Sequence, residues 1–265
     1  MTGFGAAIFD MDGLLVDSEP VWREVEIAVF ARHGVALTAE MCLQTKGMFL
    51  PDVARHWYAL YPWAGPGPDE VAAEIVDAME TRLAGEAVLK AGSRHALGLC
   101  TRRGMRLAVA SSSPHRLIEV ALGRLGIRGR FAVIHSAEDE PAGKPDPGIF
   151  LTTARLLGVD PARCVVFEDA PAGVAAAKAA GMTCVAVPDR DVPGVGVPGL
   201  DMPGKAPAPA LAPATADAVL GSLAELDEDL LARLEAGASL RCPRRPGDAP
   251  SRTGTRGSNR RSRPG

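Results

Sequence analysis

The sequence predicts an α/β fold: a Rossmann-like parallel sheet flanked by helices, with an inserted all-helical domain. Three observations carry that expectation. Short apolar runs without polar alternation recur along the chain at Ala6–Phe9, Leu107–Ala110, Cys164–Phe167 and Thr183–Val187, the pattern of strands buried on both faces. Amphipathic stretches separate these runs, and strands linked by crossover helices pair in parallel. The block between the first two strands is helical throughout, which marks it as an insertion.

The first strand, Ala6–Phe9, runs into Asp10, Asp12 and the turn-forming Gly13. Residues 18 to about 62 read as helices: Pro20–Arg32 carries an apolar stripe at Val21, Val25, Ala28 and Val29, and a second amphipathic stretch covers Asp52–Leu60. Pro62 to Pro68 break the pattern. Asp69 is placed as the N-cap of a helix running to about Gly85, with Val71, Ile75, Ala78, Met79 and Leu83 at helical spacing. Residues 18–88 are therefore assigned to the insertion, and residues 1–17 with 89–235 to the core.

The alternation resumes with a helix at Ser93–Arg103 and a strand at Arg106–Ala110 that ends in Ser111-Ser112-Ser113-Pro114. A helix at His115–Leu125 follows, then a short strand at Phe131–His135 and a loop carrying Gly143-Lys144-Pro145-Asp146-Pro147. Next come a helix at Pro147–Leu157, a strand at Cys164–Phe167 ending in Glu168-Asp169, a helix at Ala172–Ala180 with Gly181 as C-cap, and a strand at Thr183–Val187. Residues 189–215, rich in proline, glycine and alanine, read as a loose loop within the core. Gly194 to Gly199 fits Gly-x-Gly-x-x-Gly in letters, but it does not open a helix, so a dinucleotide site fails on context. Ala216–Leu220 is expected as an edge strand and Leu226–Leu234 as the last helix.

At 265 residues, 47% hydrophobic and 23% charged, the chain can bury a sizeable core. It has neither a basic N-terminal segment followed by a long apolar run nor about 18 consecutive apolar residues, so a cytoplasmic protein without a membrane span is expected. The five cysteines, Cys42, Cys100, Cys164, Cys184 and Cys242, are scattered without Cys-x-x-Cys spacing, which argues against zinc and disulfides. Cys164 and Cys184 read as small core residues. Of the net charge of −3, residues 236–265 supply +7 through eight arginines against Asp248, leaving −10 on residues 1–235. An acidic body is a poor nucleic-acid binder, and the arginine-rich tail, without interleaved aromatics, is expected to be solvated and disordered.

Function lies at the strand ends. Asp10 and Asp12 follow the first strand, Ser111 the second, and Glu168 and Asp169 the fourth, so a doubly wound sheet gathers them on one edge with Lys144 from its loop. Acids crowded there call for a cation to offset their repulsion, and magnesium is the natural choice for hard oxygen ligands. Together these groups supply the parts of phosphoryl transfer. A carboxylate can take the phosphoryl group covalently, a serine hydroxyl can donate to a phosphoryl oxygen, and a lysine can neutralise charge spread in the transition state.

The four motifs FDMDGLLVDSE, VASSS, GKPDP and VVFEDAPAGVAAAKAAGM, spanning residues 6 to about 190, resemble those of the haloacid dehalogenase-like superfamily of phosphatases and phosphomutases. The resemblance implies Asp10 as nucleophile and Asp12 as the acid that protonates the leaving oxygen, then the base that activates water. It implies magnesium held by the Asp10 side chain, the Asp12 backbone carbonyl and Asp169, with Glu168 binding directly or through water, and Ser111 and Lys144 completing the catalytic set. It places Glu19, Trp22, Lys46, Gly47 and Ser112 on the substrate side. The helical insertion resembles the small cap of the phosphoglycolate phosphatase and β-phosphoglucomutase subfamily, which implies a small phosphorylated substrate, no macromolecular partner and a monomer.

Within that subfamily, DGLLVDSEPVW at Asp12–Trp22, WYALYPWAGP at Trp57–Pro66 and SAE at Ser136–Glu138 are most similar to the bacterial hexitol phosphatase and 2-deoxyglucose-6-phosphate phosphatase group. Trp57, Tyr58 and Trp63 are expected first as core of the helical block and second as an apolar face for a sugar. The alternative is a phosphomutase. β-Phosphoglucomutases carry His where Trp22 stands and Arg where Leu50 falls, which weakens that alternative, while Lys46 keeps it open as a holder of a distal phosphate or hydroxyl. A non-catalytic binding protein on the same fold predicts decay at the catalytic positions, and Asp10, Asp12, Ser111, Lys144 and Asp169 are all present.

Overall fold

The structure is a computed structural model that describes residues 3–188 and 216–237. Strands β1 (Ala6–Phe9), β2 (Arg106–Ser111), β3 (Val133–Ser136), β4 (Cys164–Glu168), β5 (Thr183–Ala186) and β6 (Ala218–Val219) form one sheet in the order β3-β2-β1-β4-β5-β6. Every pairing is parallel. Successive side chains along each strand feed opposite faces. Ala7 and Phe9, Leu107 and Val109, and Val165 and Phe167 enter one apolar cluster, while Ala6 and Ile8, Ala108 and Ala110, and Cys164 and Val166 enter the other. Phe9 stacks on Phe167 across the β1–β4 pair at 4.7 Å between ring centroids.

Helices α5 (Ser93–Arg102), α6 (His115–Arg124) and α9 (Glu228–Glu235) bury Leu97, Leu117 and Leu231 against the first face. Helices α7 (Gly148–Leu157) and α8 (Pro171–Ala179) bury Phe150 and Ala177 against the second. The sheet is thus covered on both sides, as its unbroken apolar strands require. Strand order reverses across β1 and β4, and the crevice at that switch point is where an open α/β sheet binds its ligands.

Between β1 and α5 lie α1 (Glu19–Arg32), α2 (Ala39–Cys42), α3 (Leu50–Leu60) and α4 (Pro68–Glu86). The two strands of chain leading into and out of this block run side by side, with the Asp17 amide donating to the Val88 carbonyl at 3.0 Å and the Lys90 amide to the Leu15 carbonyl at 2.9 Å. Trp57 and Trp63 are buried within the block, Trp63 packing edge-on against Phe30 and donating its indole N–H to the Pro66 carbonyl, and Tyr58 is largely exposed. None of the three reaches the active-site cavity.

Several boundaries differ from the expectation for identifiable reasons. Helix α4 starts one residue before the expected N-cap Asp69, because Pro68 occupies its first turn and Glu70 accepts from the Gly67 amide at 2.7 Å. Ser111 and Glu168 are the last residues of their strands rather than the first beyond them, since ladder pairing extends to Ser111 with Ser136 and to Glu168 with Ala186. β3 starts two residues later than expected, and β6 has only two residues. Helix α8 ends with Ala180 as C-cap, Gly181 following it at φ 74°. On α1 the buried face is turned from the expected stripe: Ala28 is exposed and Glu26 is buried. The expected loop at 189–215, the arginine-rich tail and Cys242 lie outside the described residues. The other four cysteines are buried and free.

Candidate active site

Asp10 leaves the carboxyl end of β1, and its amide still pairs with the Phe167 carbonyl of β4 at 3.0 Å, which fixes it beside Glu168. Lys144 reaches in from the loop before α7. Its ammonium contacts Asp10 Oδ1 at 2.5 Å, Glu168 Oε1 at 2.6 Å and the Ala110 carbonyl at 3.1 Å, all in a buried setting. Burial alone would lower this lysine's pKa, but the two carboxylates outweigh it and hold the ammonium above its ordinary value. Asp10 is held well above the ordinary carboxylate range, chiefly by burial; Lys144 opposes the shift, while Glu168, Asp169 and Asp12 add to it.

Asp12 sits in a cradle of side-chain donors. Oδ1 accepts from the Ser18 hydroxyl at 2.6 Å and the Trp22 indole N–H at 2.9 Å; Oδ2 accepts from the Ser113 hydroxyl at 2.7 Å and, at a long 3.4 Å, from Ser111. The chemistry of these donors decides where Asp12 can carry a proton. An indole N–H can only donate, whereas a serine hydroxyl can turn and accept. Oδ1 must therefore remain an acceptor, and Oδ2 is the oxygen suited to carry and deliver a proton.

The expected substrate-side residues are brought to the same cavity, with Asp10, Asp12, Glu19, Trp22, Lys46, Gly47, Ser111, Ser112, Lys144, Glu168 and Asp169 all in its wall. Several engage the protein itself. Trp22 orients Asp12, and the Ser112 hydroxyl donates to the Gly47 carbonyl at 3.2 Å, joining the core to the helical block. Lys46 points at the acids: its Nζ lies 2.7 Å from Asp169 Oδ2 and 3.8 Å from Glu19 Oε1. Lys46, which kept the mutase alternative open, thus pairs with the acids of the site. Burial pushes Asp169 up to about 6 and Glu19 up to about 8, with Lys46 pulling both down.

Two glycines let the acids approach. Gly13 turns at φ 74°, and a Cβ there would lie 2.4 Å from Asp169 Oδ2. Gly173, near the start of α8, faces Glu168 so closely that a Cβ would lie 1.8 Å from Oε1. The other Glu168 oxygen accepts from the Ala170 amide at 3.1 Å, beside the N-terminus of α8. Gly173→Ala is expected to push Glu168 off Lys144, costing roughly 1–3 kcal/mol of stability and at least about tenfold in kcat. Thermal melting and steady-state kinetics on the one variant check both.

Ser18, Ser113 and Gly173 were not singled out in the sequence. Ser113 is visible in the Ser-Ser-Ser run, but only the turn past β2 shows that it, rather than Ser112, faces Asp12. Gly173 reads as a tolerated helix glycine until Glu168 is seen against it.

Among the described residues no three Asp, Glu, His or Cys side chains converge on one point as a metal cage. Magnesium does not require one, since it keeps several waters and binds through one or two carboxylates plus substrate oxygens. The charge balance fits a divalent cation. Six carboxyl groups, Asp10, Asp12, Glu19, Glu26, Glu168 and Asp169, share the cavity wall with the ammoniums of Lys46 and Lys144 and the guanidinium of Arg23, an excess of negative charge that a divalent cation offsets.

Comparison with known proteins places this geometry. A family model for haloacid dehalogenase-like hydrolases matches residues 4–181. Hexitol phosphatase B of Escherichia coli (strain K12) is 40% identical over 184 residues, covering 69% of this chain and 83% of that protein. Among solved structures, CbbY from Rhodobacter sphaeroides in complex with phosphate superposes with a TM-score of 0.69 at 26% identity, covering 84% of this chain and 96% of that one. A β-phosphoglucomutase from Clostridium difficile superposes with a TM-score of 0.72 at 20% identity over 88% of this chain and 98% of that one, a likeness of fold. No helix among the described residues is long and apolar enough to cross a membrane. With the motif residues assembled at the sheet's switch point and the family model covering two thirds of its length, this chain belongs to the haloacid dehalogenase-like hydrolase family and is an enzyme of it, a phosphatase.

Proposed function

We propose that the enzyme hydrolyses small phosphate monoesters of sugars or sugar alcohols, of the 2-deoxyglucose 6-phosphate or hexitol 6-phosphate type, in a magnesium-dependent reaction through an aspartyl-phosphate. The observation that carries this reading is the pairing of a buried Asp10, held on Lys144, with an Asp12 whose Oδ2 meets serine hydroxyls that can accept as well as donate. Likeness to hexitol phosphatase B supports the substrate class. Magnesium would be held by Asp10, the Asp12 backbone carbonyl and Asp169, with Glu168 direct or through water. Bound there, it would offset the carboxylates' repulsion of the incoming phosphate and draw charge from the phosphoryl oxygens.

Asp10 Oδ attacks phosphorus and the ester P–O bond breaks; Asp12 passes its proton from Oδ2 to the departing sugar oxygen. Asp12, now a carboxylate held by Trp22 and Ser18, takes a proton from water, whose oxygen attacks the phosphoryl group on Asp10. Phosphate leaves and Asp10 is restored. Ser111 donates to a phosphoryl oxygen, and Lys144 keeps Asp10 aimed and balances charge that grows at the phosphoryl group. The helices of residues 18–88 act as a cap that closes the cavity to bulk water and admits only small esters. The reading extends to a cytoplasmic monomer.

Phosphate release from 2-deoxyglucose 6-phosphate, hexitol 6-phosphates, glucose 6-phosphate, phosphoglycolate and β-glucose 1-phosphate, with magnesium or EDTA, tests it. Magnesium-dependent release led by hexose or hexitol 6-phosphates is expected; conversion of β-glucose 1-phosphate to glucose 6-phosphate without release would replace the phosphatase by a mutase.

Stability offers an independent check. Glu19 and Glu26 have folded-state values of about 8 and about 7 against ordinary values of 4.5. A raised carboxyl pKa means the folded state binds protons that the unfolded state has released, so its contribution is complete below about pH 4.5 and is lost as pH rises through 7 and 8. Metal-free protein is therefore expected to lose on the order of a few kcal/mol between pH 5 and pH 8. Added magnesium should restore more at pH 8 than at pH 5; calorimetry at both values measures it.

A further inference from the structure

Glu26 is a buried carboxylate in the cavity wall that the reaction as described does not use. It lies on the face of α1 that carries Glu19, Trp22 and Arg23, at spacings of three, four and seven residues from Glu19, and all four line the cavity. Trp22 touches Asp12. At about 1.5 Å of rise per residue, Glu26 stands roughly 6 Å farther along the helix, away from the reacting end. The helical block also contributes Cys42, Leu43, Leu50 and Val53 to the same wall, Cys42 in hydrogen-bond contact with Glu26.

Glu26 is only 8% exposed, and its Oε2 has no hydrogen-bond partner among the described residues. Burial pushes the carboxyl up to about 7, and a hydrogen bond with the Cys42 side chain pulls the other way. Leaving a buried acceptor unpaired costs free energy, and a leucine would fill the place more stably. In a cavity wall that also holds the apolar Leu43, Leu50 and Val53, a polar group of this kind is what orients a ligand.

We propose that Glu26 is a specificity-determining residue: its unpaired carboxylate oxygen accepts a hydrogen bond from a hydroxyl at the far end of a phosphorylated polyol or sugar whose phosphate sits at Asp10. This rests on the phosphatase reading and goes beyond it by naming the group that measures the carbon chain.

The test compares Glu26→Leu and Glu26→Gln with wild type on hexitol 6-phosphate and on p-nitrophenyl phosphate, which has no hydroxyl to offer. For Glu26→Leu, kcat/KM on the hexitol ester is expected to fall about 10- to 100-fold, mainly through KM, with p-nitrophenyl phosphate changed by less than about twofold and the melting temperature raised. Glu26→Gln, nearly isosteric, is expected to show a smaller loss on the hexitol ester alone and carries the comparison if the leucine variant does not fold. Equal losses on both esters with a lowered melting temperature, or no loss on either, would overturn the proposal while leaving the phosphatase standing. A wild-type enzyme that releases phosphate from neither ester would overturn both.

Discussion

Asp10→Asn is expected to lower kcat for phosphate release by at least about 10⁴-fold, the scale of losing a nucleophile whose partners act as a unit with it. An amide has the same shape but cannot carry the phosphoryl group, so the loss falls on chemistry. The fold should survive. Lys144 keeps Glu168 and the Ala110 carbonyl, and the change removes one of the carboxyl groups whose mutual repulsion, together with burial, holds the Asp10 pKa up. Its melting temperature should match or exceed that of wild type. A variant keeping more than about a tenth of the activity would place the nucleophile elsewhere.

Lys144→Met has a different signature, because it strikes catalysis and stability together. The Lys144 side chain is 3% exposed and bridges Asp10 and Glu168 at 2.5 and 2.6 Å. Removing the shared cation leaves two buried carboxylates facing each other, a change that costs about 3–5 kcal/mol where one partner of a buried pair is lost. Losing transition-state charge balance should also lower kcat by about 10²- to 10³-fold. Magnesium should recover part of the lost stability, and more of it than it adds to wild type. Lys144→Arg should restore little, since the planar guanidinium does not fit a site built for a compact ammonium. Denaturant unfolding with and without magnesium, beside kinetics on the same protein, separates the two effects; wild-type stability in the variant would contradict the bridging role.

The sheet was legible because its strands are buried on both faces: four apolar residues ending in Asp-x-Asp, or Cys-Val-Val-Phe ending in Glu-Asp, have few alternatives in an α/β chain. The motif residues were legible for a related reason, since strand ends at a switch point are the places where order in sequence becomes proximity in space. What escaped was set by turn geometry and side-chain direction. Ser113 faces Asp12 and Ser112 faces Gly47, with the turn past β2 held by the Ser136 hydroxyl donating to the Ser113 carbonyl and the Ser113 amide donating to the Ser111 hydroxyl. Trp22 reads from the sequence as a substrate contact, yet its indole holds Asp12. The apolar stripe expected on α1 included Ala28, yet Ala28 meets solvent and Glu26, outside that stripe, meets the cavity. Hydrophobic periodicity does not find a polar residue that is buried for the sake of a ligand.

The most direct measurement is rapid acid quenching of wild-type enzyme turning over hexitol 6-phosphate, followed by mass analysis of its peptides. With magnesium present, the peptide containing Asp10 should carry one phosphoryl group. The label should disappear with EDTA, and Asp10→Asn should show none. Phosphate released without any phosphorylated peptide, or a label on a residue other than Asp10, would contradict the account.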